Sequence, residues 1–429
     1  MEVSEHGGRE LVDQAVSCGR GSGRCGRLAD DEAADFRGVH AGVGVALTLA
    51  MRWRRHPMES ERPFRFYPPH CPWPACPAHF GHACGRGFQR FGSYKTKYSC
   101  ARIPRFRCKR CWRTCSRQTF SASYYLKRRE LPRLVAAGLV ACSAHRQIAR
   151  SFHCSKTTVT RLAERLGRHA ILFHNYCMGH VREIDEPIVH DHFETFIGRQ
   201  DVGLGIGTAV GARTWFVYGV DPAPHRGPGR RPNAKKDDRL IPARSYVASI
   251  RRAISGLLPK VPAGTRLHAI ADGRVDYPAA LKLPDLEDRV HLSVYRNPKR
   301  GPKGTPRSDE AIARDYAMYP VDALHQLIRH SHGEHKRETI AFGRRLESKM
   351  GRAYLTAVWK NFIKRRSERK PDHTTPAMKL GLADSRWRWE RLFVRRLFPQ
   401  RFRPTDSEMK LYGKRWTPNL PALHRKHAA

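Results

Sequence analysis

No apolar run in this chain approaches the roughly twenty residues that a membrane-spanning helix requires. The best candidate, residues 43–51, is far too short and lies too far from Met1 for an ordinary signal peptide. With no export signal, the thiols are expected to stay reduced, in a cytoplasmic and nucleoid-associated setting. Acidic residues are also scarce: 39 Asp and Glu stand against 80 Lys and Arg, a formal charge of +41 over 429 residues. The excess runs through the whole chain rather than one tail. A merely solvated surface is a poor account of it, and a polyanion such as double-stranded DNA is the natural partner. There is no internal repeat, and the length suits two or three domains with ample chain to bury a core.

Cysteine, by contrast, is present and patterned. Cys71 and Cys76 in CPWPAC, then Cys108 and Cys111 in CKRC, form two pairs whose thiolates can occupy adjacent corners of one tetrahedron. The intervening FGSYKTKYSCARIPRFRC is basic and aromatic, as expected of a short β-ribbon pinned at its ends by Zn²⁺ rather than by a hydrophobic core. Cys84, Cys100 and Cys115 are near enough to substitute as ligands. This zinc ribbon is expected over 64–120. Before it, segment 1–60 is rich in Gly, Ala, Arg and Asp and reads as disordered, or as lying upstream of a true start at Met51 or Met58.

A helical pattern from about 125 to 141 leads into SAHRQIARSFHCSKTTVTRLAERLGRH. Ile148 and Ala149 give a first short helix an apolar side, residues 153–155 make a turn, and Ser155 is a good N-cap for a second helix. There Val159, Leu162, Ala163 and Leu166 repeat at helical spacing and leave Lys156, Thr157, Thr160 and Arg161 outside. With Arg146 and Gln147 these are the candidate DNA-contacting residues of a helix-turn-helix over 125–170.

From about 187 the pattern turns to β. Runs at 188–196, 202–210 and 214–220 read as an antiparallel meander. A helix over 245–258, a buried strand over 267–271, a helix near 277–283 and a strand over 289–295 follow, and everything beyond about 309 is helical in pattern. In a chain so poor in acid, carboxylates set into apolar strands need a reason. Asp191 shares a strand face with Val189 and Phe193, and Asp272 closes LHAIAD before a glycine turn. Asp322, just after Pro320, is expected in the first turn of a helix, with Glu334, Glu338 and Glu347 as rivals for a third acid. Three carboxylates from two strands and a helix can hold two Mg²⁺ or Mn²⁺ ions for attack on a phosphodiester.

With these residues in this order, the chain resembles bacterial transposases of the insertion-sequence-one type. The resemblance covers about 70–398 and rests on RFRCKRC at 105–111, DHFETF at 191–196, ADGRVDY at 271–277, and DALHQLIR at 322–329 followed by RETIAF at 337–342. His192 stands where that family has Glu, and Asp322 and His325 stand where it has Glu and Asn. The resemblance implies a ribonuclease H-like α/β catalytic domain over 185–366 with a helical C-terminal extension, then a basic tail over 367–429. It also implies Asp191, Asp272 and Asp322 as catalytic acids, with Glu347 the main alternative to the last. The implied activity is strand cleavage and transfer at terminal inverted repeats, by a homo-oligomer that pairs two element ends. A sequence-specific DNA-binding regulator, or a transposase that has lost catalysis, is the alternative.

Overall fold

The computed structural model describes residues 66–81, 87–96, 99–226, 244–299, 301–302, 304–335, 343–368 and 372–416. The expected disordered segment 1–60, Cys84 and Glu338 lie outside them. The protein is mixed α/β, with two separate sheets. In the smaller, β1 (Phe88–Thr96), β2 (Ser99–Cys108) and β3 (Thr114–Ser116) pair antiparallel in that order. Its core is slight: Phe88, Phe106, Cys115 and Phe120 are joined there by Phe398 from far along the chain.

Three helices follow: α1 (Leu131–Val140), α2 (His145–Ser151) and α3 (Lys156–His180). The helix expected from about 125 begins only at Leu131, where Pro132 suits a first helical turn. Ser155 caps α3 as expected, its Oγ accepting the Thr158 N–H at 3.1 Å. At 25 residues α3 runs well past the expected motif, because Ala170, Ile171, Phe173 and Cys177 continue its buried side.

The larger sheet has the order β6-β5-β4-β7-β8. Strands β4 (Ile188–Ile197), β5 (Arg199–Gly211) and β6 (Val217–Arg226) form an antiparallel meander; β7 (Leu267–Ala271) lies parallel to β4, and β8 (Val290–Val294) parallel to β7. Helix α4 (Ser245–Leu257) leads from β6 to β7, and α5 (Asp276–Leu281) and α6 (Pro284–Glu287) lead from β7 to β8. Strand β6 continues through Pro222 and Pro224, beyond the run expected to end at 220. It is an edge strand, and prolines two residues apart turn both missing N–H groups toward the same, open side.

Helices cover both faces. On one, the His192 ring meets Ser249 of α4 and His190 meets Tyr277 of α5. On the other lie α7 (Asp309–Ser331) and α8 (Leu346–Phe362), where Phe193 packs on His325 and the Tyr354 hydroxyl donates to the Val220 carbonyl. Leu346, Met350, Leu355, Val358 and Phe362 of α8 are buried and Trp359 half-buried. Helix α3 then packs on α8, and a Cβ added to Gly167 would lie 2.9 Å from the Gly351 Cα.

The segment expected as a basic tail is folded where it is described, with short helices α9 (Pro376–Lys379), α10 (Trp389–Phe393) and α11 (Asp406–Tyr412). Trp387 is buried against Phe173 and Phe362, and the Ser407 hydroxyl donates to Asp221 Oδ1 at 2.9 Å. Its apolar anchors are spaced irregularly among arginines, so no periodicity announces them.

The α3–α8 crossing can be tested directly. Gly167→Val should cost about 2–3 kcal/mol of unfolding free energy in urea titrations, because neither backbone can retreat. Gly179→Ala, on the same helix with open space around it, should instead raise stability by up to about 1 kcal/mol.

Candidate functional site

Cys71, Cys76, Cys108 and Cys111 bring their sulfurs within 4.8 Å of one another, three of the four buried. The Cys71–Cys111 and Cys76–Cys108 sulfurs are 3.6 and 3.8 Å apart. Zinc bound tetrahedrally at about 2.3 Å from each thiolate needs sulfurs roughly 3.8 Å apart, so the donor set fits the ion. Two knuckles make this possible: the Cys76 N–H donates to the Trp73 carbonyl, and the Trp112 N–H to that of Cys108. Burial pushes the Cys71 and Cys76 thiols up. At Cys108 burial acts in the same sense, but the backbone N–H groups of Cys111 and Arg110 outweigh it and hold the thiol below its usual range. Cys115 is outside the four-sulfur group, and burial raises it to about 12.

The acids come together by strand register. Val189 pairs with Ile270 on the neighbouring parallel strand, and Asp191 and Asp272 each follow two residues on, near enough that the charge of Asp272 bears on Asp191. Helix α7 crosses these two strands. Asp322 is not in its first turn as expected, since α7 opens far upstream at Asp309 with Pro320 inside it. Ser308 is the stronger start, its Oγ accepting the Ala311 N–H at 3.3 Å, and buried Met318, Val321, Leu324 and Ile328 carry the helix through the proline. A favourable helix-end field therefore does not account for Asp322.

Burial, and next the charge of Asp272, raises the Asp191 carboxyl to about 7; Asp322 adds to the rise and Arg314 opposes it. Burial also raises Asp272, against the Arg274 N–H that its Oδ1 accepts at 3.1 Å. Arg314 pairs with Asp322 through both carboxylate oxygens. Among the described residues the three aspartates do not close to the spacing of the cysteine group. Of the rivals, Glu334 is ion-paired with Arg352 at 3.1 Å, and Glu347 lies in the first turn of α8.

Sequence reasoning missed Thr208 and Arg314 and gave His325 no role in this site. The Thr208 hydroxyl donates to the Asp191 carbonyl at 3.2 Å and lies 2.9 Å from His325 Nε2. His325 Nδ1 faces Asp191 Oδ2 across 3.7 Å, and burial lowers the ring to about 3, so it is neutral. The buried Asp191 carboxylate, with the charge of Asp272 bearing on it, is an oxygen donor of the kind that Mg²⁺ or Mn²⁺ takes. His325 could have been found from its i+3 spacing to Asp322; Thr208 and Arg314 leave no signal in the sequence.

Of the candidate DNA-contacting residues, Arg146, Gln147, Lys156, Thr157 and Arg161 are exposed. Thr160 is half-buried and bonded inward, to the Lys156 carbonyl at 3.1 Å and to His145 Nδ1 at 3.0 Å. His145 Nε2 in turn accepts from Arg352, the partner of Glu334, at 2.7 Å.

Two outcomes follow. Cys108→Ser should lose bound zinc, by metal analysis of purified protein, while Cys115→Ser keeps it. For Asp191, a folded value near 7 above the ordinary 3.8 means stability is fully present below pH 4 and is lost as pH rises toward 7. In buffer free of Mg²⁺ and Mn²⁺, Asp191→Asn should therefore be more stable than the native chain at pH 8, by on the order of 3 kcal/mol, and equal to it near pH 3. Adding Mg²⁺ should raise the melting temperature of the native chain and not of the variant.

In comparisons with known proteins, neither a family model nor a curated sequence matches this chain.

Proposed function

We propose that the chain is a DNA transposase. In this reading the four-cysteine module is a zinc ribbon and α2–α3 a helix-turn-helix, together binding the ends of a mobile element, while the acid site cuts and joins DNA. The carrying observation is the sheet order β6-β5-β4-β7-β8 with Asp191 on its central strand and Asp272 at the end of the next. That order and those acids support a ribonuclease H-like domain, and Asp322 from α7 supplies a third carboxylate across the same face.

Asp191 and Asp272 would hold Mg²⁺ or Mn²⁺, with Asp322 as third ligand once Arg314 yields it. When bound, such ions supply Lewis-acid polarisation of the phosphodiester and a stronger oxygen nucleophile. The chain's own residues set the stage: Thr208 ties the Asp191 backbone, the neutral His325 ring stands beside its carboxylate, and buried Phe193 lies next along β4 on that face. The formal charge of +41 draws the DNA. The grip of Arg314 on Asp322 favours one rival, a DNA-binding regulator without catalysis.

A labelled duplex carrying the DNA that flanks the gene separates the two. The native chain should nick it only with Mg²⁺ or Mn²⁺; Asp191→Ala and Asp272→Ala should bind it as well as the native chain and leave it intact. Cutting retained by either variant refutes the acid assignment, and binding without cutting by the native chain establishes the regulator.

A further inference from the structure

A cavity of about 450 Å³ opens beside α3, closed on its other side by the C-terminal segment. Its wall carries three guanidiniums, Arg165, Arg168 and Arg396, and no carboxylate. Among the described residues no acid is paired with any of the three. Arg165 is half-buried, and the charges bearing on it are Arg396 and Arg168, both repulsive. Like charges gathered in a concave, partly desolvated space are costly unless a bound anion offsets them.

The remaining wall is aliphatic and aromatic, with three tyrosines, Tyr124, Tyr125 and Tyr412, among leucines. Tyr124 and Tyr125 hold their rings 4.2 Å apart, Arg396 lies 5.1 Å from the Tyr124 ring, and Arg168 lies 6.0 Å from that of Tyr412. The volume falls in the range of small-molecule sites and exceeds what a lone phosphate fills. Arg165 and Arg168 also follow Arg161 by four and seven residues, so one face of α3 leads from its exposed, candidate DNA-contacting end into the cavity.

We infer that this cavity is a nucleotide site, in which Arg165, Arg168 and Arg396 clasp the phosphate and the tyrosines stack the base. The nucleotide comes either free from solution or as an unpaired residue of a DNA strand lying along α3. The site does not depend on the acid chemistry proposed above and stands even if the chain cuts no DNA.

The test uses the full-length, zinc-loaded chain and the fluorescence of 2-aminopurine, which stacking on an aromatic ring quenches. One arm titrates 2-aminopurine deoxyribonucleoside 5′-monophosphate; the other titrates a duplex with a single unpaired 2-aminopurine, and the arm that saturates identifies the source. The Arg165→Gln/Arg396→Gln variant should weaken binding by about tenfold or more, as should removing the phosphate from the free probe, while the exposed Arg251→Gln control changes nothing. The ligand-free double variant should melt at or above the native temperature, since a repulsion has been removed. Tyr125→Asn should reduce the quench without unfolding the chain, because that ring is 85% exposed and Asn tolerates its positive φ of 61°. The site is overturned if neither probe saturates, if the double variant binds as the Arg251 control does, or if nucleoside and nucleotide bind alike.

Discussion

Two glycines, Gly167 and Gly351, let α3 and α8 meet backbone to backbone with no side chain between them. Much else is arranged around that crossing. Helix α8 lies on the larger sheet, where Tyr354 and buried Lys349 reach Val220 and Thr195. Helix α3 carries the exposed Lys156 end on one side of the crossing and the Arg165 cavity beside it. A second tie lies nearby, running from Thr160 through His145 and Arg352 to Glu334. Close packing makes such a joint intolerant of added volume, because neither helix has a flexible side chain to move aside.

A chain of such positive charge places several of its few acids in the interior, and their partners tell their roles apart. Glu186 accepts the N–H groups of Arg213 and Thr214 and the hydroxyls of Thr214 and Tyr218, closing the β5–β6 turn. Asp221 receives Arg252 and Ser407, binding the C-terminal segment to the sheet edge. These carboxylates are surrounded by donors. Asp191 instead has the charge of Asp272 bearing on it as well as burial, and its carboxyl is raised to about 7. The buried histidines stand apart from both classes. Burial lowers His174 and His190 to about 4 and His332 to about 3, so they serve as neutral hydrogen-bonding groups.

What could be read from the sequence was what short-range physics determines. Period-two alternation placed Asp191 on an apolar face, an Asp-Gly end placed Asp272 at a turn, the cysteine spacing gathered four sulfurs, and Ser155 announced its helix. Illegible were features whose cause lies elsewhere in the chain. The prolines of β6 are acceptable because, among the described residues, no strand lies beyond it, a fact about sheet order. Pro320 looked like a helix start because the competing cap at Ser308 has to be weighed against it together with the burial of Met318 and Val321. The folding of residues 372–416 depends on Phe398 and Trp387 finding cores built by distant segments.

Helix α3 remains unbroken from Lys156 to His180, a span of about 37 Å at 1.5 Å per residue. It therefore acts as a gauge. Each residue inserted into it would lengthen the stand-off by about 1.5 Å and swing one end against the other by about 100°. The Lys156 end is thus held to the sheet at one distance and one azimuth, set by a count of residues.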